Sequence, residues 1–96
     1  MISVMVRYRI KKEKIKDILK AIKKFVKNIE KRERGTLLYK VFRIEKKSNE
    51  FVHFMIFEDA KAEEIHKKSE YVKKFVSILY PLCEKKPVFV KLNYIK

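Results

Sequence analysis

The sequence has one cysteine, one glycine, two prolines and no tryptophan. Cys83 alone cannot form an intramolecular disulfide and gives a cysteine-based zinc site no ligand set, so a reducing, cytoplasmic setting is the simplest expectation. No window approaches the ~18 apolar residues of a membrane span, and no membrane partner is expected. Residues 1–6 run directly into a charged segment without the apolar stretch of a secretory leader. A glycine-rich phosphate loop, a serine nucleophile elbow and a histidine-carboxylate spacing of metal-ligand type are all missing, so no metal site is expected. Cys83, between Leu82 and Glu84 with no histidine beside it, reads as an incidental thiol. Acidic residues are scarce: 12 against 26 Lys and Arg, for a net charge of +14. That balance favours anionic partners in general but names none. Lys, Ile and Glu in quantity beside so little Gly and Pro also fit a heat-adapted surface.

What is present is apolar patterning. At 96 residues the chain is expected to be one domain, residues 1–96, small enough for a shared interface to help it considerably. Residues 50–59 read as a strand with no polar face: Phe51, His53, Met55 and Phe57 share one side, and Val52, Phe54 and Ile56 the other. Antiparallel sheets in small domains usually leave one face in water, so this strand asks to be covered twice. Residues 36–45 form its hairpin partner across a polar turn at 46–49, with Leu37, Tyr39 and Val41 opposed to Leu38, Phe42 and Ile44. Residues 2–10 alternate as a first strand and residues 88–95 as a last one.

Helical spacing appears twice. Ile15, Ile18, Leu19, Ile22, Phe25, Val26 and Ile29 make one apolar stripe, and the lysines between them read as a solvated face. Gly35 is expected to take the left-handed conformation that ends this helix. A second helix is predicted to start at an Asp59 N-cap. Its phase shifts after Ser69 and Glu70, which predicts two pieces with a bend before Pro81 and Pro87 bracket the exit.

The order is therefore β-α-β-β-α-β, a ferredoxin-like α+β arrangement of a four-stranded antiparallel sheet with both helices on one face. Helices cover one apolar face of the central hairpin. Two sheets packed face to face would cover the other and enclose a small cavity between sheet and helix elements, so a homodimer through the sheet face is expected.

The middle of the chain resembles the antibiotic biosynthesis monooxygenase family. The residues that carry the resemblance are Gly35-Thr36-Leu37-Leu38-Tyr39, Asn49-Glu50-Phe51 and Phe57-Glu58-Asp59-Ala60. Beyond them lie Ala62, His66, Ser69 and the run from Tyr71 to Phe75. The resemblance implies a dimeric α+β barrel that oxygenates small aromatic or quinol-like molecules, often with no metal or flavin, so no cofactor is expected. Such chemistry needs a base to generate an electron-rich anion and a dry pocket where that anion meets oxygen. His66 matches the family's helical histidine and is the first candidate for base. His53, Phe57, Tyr39, Met55 and Tyr71 are the candidate substrate-binding residues. The family commonly has a glutamate two residues before a tryptophan on the third strand, where Met55 and Phe57 stand here. The Asn, Trp and His set of haem-degrading relatives is not evident either, which argues against haem chemistry.

Two other classes compete. RNA-binding domains of the RRM type share the element order and stack bases on strand aromatics. Their basic and glycine lead-in is missing here, where Ser48-Asn49-Glu50 precedes Phe51, so nucleic acid is a weak expectation. A non-catalytic dimer that binds a small ligand is the third reading, and the missing strand glutamate favours it.

Overall fold

The computed structural model describes residues Met1–Lys96. Strand β1 (Ile2–Arg9) leads through a single 3-10 turn into helix α1 (Ile15–Arg32), then to the hairpin of β2 (Thr36–Arg43) and β3 (Glu50–Phe57). Helix α2 (Ala60–Lys68), helix α3 (Glu70–Leu82) and strand β4 (Val88–Leu92) follow. All strand pairings are antiparallel and the sheet order is β2-β3-β1-β4.

The alternation of β3 settles which face the helices cover. Phe51, His53, Met55 and Phe57 are buried beneath α1 and α3, with Val4, Val6 and Tyr8 of β1 beside them. Ile18, Ile22, Phe25 and Ile29 of α1, with Phe75 and Leu79 of α3, close that core from above. The lysines of α1 face away from it, as the helical spacing predicts. Val52, Phe54 and Ile56 lie on the opposite side with Met5, Leu38 and Val90, and no element of the chain packs over them.

The dimeric α+β barrel implied by the family resemblance is not borne out, because the four-stranded sheet is not closed into a barrel. The sheet is open: β2 and β4 are its edges and are not joined, and β4 ends at Leu92 instead of running on to residue 95. Five residues of β4 pair only with β1, so the sheet has neither the strands nor the register to close on itself.

Gly35 also acts differently from the expectation. Its φ is not positive. A Cβ there would lie 2.5 Å from the Cβ of Ala62, so the glycine is needed for the close approach of the α1–β2 turn to α2. The bend in the second helical region falls where the phase shift put it, at Ser69. Asp59 caps α2 as expected, its Oδ1 accepting from the Ala62 N–H at 2.9 Å. Pro81 lies inside the last turn of α3, and only Pro87 stands in the exit.

Candidate functional site

Between the covered face of the sheet and α2 and α3 lies a cavity of about 330 Å³. Its walls are mostly apolar: Val4, Val6, Met55, Phe57, Phe75 and Leu79 among others, with Phe89 at the edge. Polar groups are few, and each is placed by a specific local feature.

His53 stands on the central strand and points inward by alternation. Its two neighbours arrive diagonally: Tyr8 on β1 is paired with Phe51, and Tyr39 on β2 with Met55, two residues to either side of His53. The Tyr8 hydroxyl is 2.6 Å from His53 Nε2 and the Tyr39 hydroxyl 2.7 Å from Nδ1. His53 is only 2 % exposed. Burial, with the nearby His66 adding to it, pushes the imidazole pKa down to about 3, so the ring is neutral at physiological pH. Both ring nitrogens are already engaged, and His53 is therefore a poor base. Burial also raises the Tyr8 and Tyr39 hydroxyls far above their ordinary value.

His66 differs. It sits in the last turn of α2, with its Nδ1 2.9 Å from Oε2 and 3.0 Å from Oε1 of Glu33. Glu33 follows the last residue of α1, where the helix dipole disfavours a carboxylate. Three donors compensate: His66, the Tyr71 hydroxyl, and Thr36 Oγ1 at 2.5 Å. Burial raises the Glu33 pKa, but these hydrogen bonds outweigh it and hold the carboxyl below the usual range. Glu33 is thus an anion that accepts the Nδ1 proton and fixes the ring. No sealed side-chain nitrogen or oxygen in the protein lacks a partner, and His66 Nε2 makes no hydrogen bond, so Nε2 is open to the cavity. Phe57 and Tyr39 flank the ring at centroid distances of 5.2 and 5.7 Å.

At the cavity edge, Glu63 holds Lys67 at 3.5 Å and Lys91 at 3.4 Å. No three His, Cys, Asp or Glu side chains converge as a metal ion would require. No helix is long and apolar enough to cross a membrane.

The structure brings His66, His53, Tyr39, Met55 and Phe57 to one cavity. Tyr71 is not on the cavity wall. Its hydroxyl donates to Glu33 instead, behind His66. Two participants escaped the sequence: Tyr8, which reads as one more inward residue of an alternating strand, and Glu33, one acid in the charged run from Lys31 to Arg34.

Comparison with solved structures gives the same architecture. A structure titled antibiotic biosynthesis monooxygenase superposes with a TM-score of 0.92 at 23% identity, over 100% of both chains. A protein of Caulobacter crescentus gives 0.92 at 18% identity, over 99% of this chain and 90% of that one. A conserved protein of Methanosarcina mazei gives 0.88 at 18%, over 95% and 89%. At such identities the likeness establishes the fold alone. None of the curated proteins matches the chain in sequence. The family model for antibiotic biosynthesis monooxygenase matches residues 1–77, and with most of its length so matched the chain belongs to that family.

Proposed function

We propose that the chain is a single domain that oxygenates a small aromatic or quinol-like molecule without a bound cofactor, with His66 as the general base. The observation that carries this reading is the Glu33–His66 couple. A carboxylate orients the ring through Nδ1 and leaves Nε2 facing an apolar, aromatic-walled cavity. His66 would take a proton from an activated C–H of the substrate. The carbanion passes an electron to dioxygen, the radical pair joins, and the imidazolium returns its proton to give a hydroperoxide. Loss of water, whose second hydrogen is the one remaining on that carbon, leaves a carbonyl: one oxygen atom of O₂ ends in the product and one in water. No step calls on a metal or flavin. The apolar wall serves by excluding water from the anion.

The domain acts as a homodimer through its open sheet face. The observation behind it is that Val52, Phe54 and Ile56 share an uncovered face with Met5, Leu38 and Val90, a continuous apolar patch of the kind that marks an interaction surface.

A second reading, a binding protein without catalysis, draws on Met55, a thioether where family members commonly carry a glutamate. Oxygen uptake with a panel of quinols and polyphenols separates the two. Uptake by the wild type that falls about a hundredfold or more in His66→Ala is the expected result. An unchanged rate in the variant would remove His66 as base. Binding of the panel with no uptake by the wild type would favour the second reading.

A further inference from the structure

The Tyr8–His53–Tyr39 cluster takes no part in the proton transfer assigned to His66, yet its hydrogens do not balance. A neutral imidazole has one N–H and one bare nitrogen, and each tyrosine hydroxyl carries one hydrogen. The cluster thus holds three donors and makes two hydrogen bonds. One bond must be imidazole N–H to a tyrosine oxygen and the other a tyrosine O–H to the bare nitrogen. Whichever tyrosine accepts keeps its own hydrogen unused. Tyr8 is 4 % and Tyr39 8 % exposed, and both line the cavity. No other side-chain acceptor lies within hydrogen-bond distance of either hydroxyl. A donor left over in so apolar a wall is unfavourable while nothing accepts from it.

We propose that this triad keeps one hydroxyl hydrogen for the ligand, and that Tyr39 donates it to a carbonyl or phenolate oxygen of the bound molecule. Tyr39 is favoured over Tyr8 by position. Its ring is 5.7 Å from that of His66 and packs edge-on against Phe25. Tyr8 instead stacks on Phe51, farther along the sheet. A ligand oxygen on Tyr39 therefore sits beside the base. The proposal rests on the reading of this cavity as a ligand site and sharpens it: the substrate is an aromatic ketone or phenol, whose oxygen accumulates charge as His66 removes the proton.

Occupancy of Tyr39 also fixes the tautomer of His53. When the Tyr39 hydrogen goes to the ligand, its oxygen accepts from Nδ1–H, and Nε2 is left to accept from Tyr8. His53 is a positioning residue that the bound ligand holds in the Nδ1–H form.

The test is binding of indanone and of indane, the same skeleton without the oxygen, to the whole protein under anaerobic conditions. Heteronuclear NMR of ring-labelled histidine and the infrared carbonyl stretch are read alongside. The wild type is expected to bind indanone at least tenfold more tightly, with His53 in the Nδ1–H form when indanone is bound and the carbonyl stretch lowered. Indanone that binds no better than indane, or a bound state with His53 in the Nε2–H form, overturns the proposal without need of a variant. A stretch equally lowered in Tyr39→Phe overturns the choice of Tyr39. No step consumes oxygen, so the two readings fail separately. The triad signature without oxygen uptake removes only the oxygenase, and oxygen uptake with an inert triad removes only this donor.

Discussion

Glu33 and His66 are 33 residues apart in sequence, yet Oε2 of one lies 2.9 Å from Nδ1 of the other. Neither is placed by its own element alone. The end of α1 supplies the carboxylate, the last turn of α2 supplies the ring, and Tyr71 at the start of α3 and Thr36 at the start of β2 hold the carboxylate in place.

Glu33→Gln is expected to lower kcat for oxygen uptake by about tenfold, less than the loss in His66→Ala, while KM changes little. The amide keeps the size of the side chain but offers one acceptor oxygen where Glu33 offers two, and it no longer stabilises the imidazolium formed when Nε2 takes a proton. Steady-state kinetics of the two variants check this. A Glu33→Gln enzyme with unaltered kcat would make the carboxylate a structural anchor only.

The same carboxylate gives stability a pH dependence. Its folded pKa is below its unfolded value, so its contribution is fully present above the unfolded carboxylate pKa of about 4.3 and is lost as pH falls through the folded one. In acid titrations of unfolding below about pH 4, Glu33→Gln should show a shallower decline than the wild type.

His53 acts in a higher window. Its folded pKa of about 3 lies below the unfolded value of about 6.5, so the unfolded chain binds the extra proton between the two. Stability therefore falls as pH drops through that range, by about 1.4 kcal/mol per pH unit from this one group. Calorimetry at about pH 5 in two buffers of different ionisation enthalpy should show about one more proton taken up on unfolding by the wild type than by His53→Gln. Equal uptake would mean that His53 is charged in the native state.

The elements were legible because each strand and helix carries its own periodicity. The apolar stripe of α1 and the two-sided β3 leave little choice of layer, and the bend at Ser69 is visible as a shift of phase. The pairing of His53 with Tyr39 was half visible, since inward alternation places both on the covered face. Glu33 was not legible. In Lys31-Arg32-Glu33-Arg34 it has the composition of any solvated helix end, and only the return of α2 and α3 over that end turns it inward. The closed barrel came from family resemblance, not from the pattern, and the open edges of β2 and β4 replace it.

Gly35 was misread for an instructive reason: the residue is special for the space around it, not for its backbone angles. Gly35→Ala sets a methyl against Ala62 and is expected to cost about 1–3 kcal/mol of stability. Ala62→Gly in that background should return part of the loss, although glycine in α2 itself costs about 1 kcal/mol. Denaturant unfolding of the four-member cycle measures the coupling. Additive effects would show that the contact is relieved elsewhere.

Phe54 lies at the centre of the open sheet face on β3, paired with Met5 on one side and Lys40 on the other, and points away from the cavity. Phe54→Lys should leave the core intact, because no buried side chain of the helix-covered face touches that side of the sheet. It should nevertheless abolish self-association, since a lysine at the centre of an apolar contact must be desolvated without a partner. Sedimentation velocity at micromolar concentration is expected to give a dimer for the wild type and a folded monomer for the variant. A monomeric wild type would sink the homodimer, and some other cover for Phe54, Ile56 and Val90 would then have to be sought. A dimeric Phe54→Lys would place the contact elsewhere, at the sheet edges or the helices. The cavity is lined by elements of one chain, so ligand binding should survive in the monomer. Loss of binding along with the dimer would mean that the second copy shapes the site from outside.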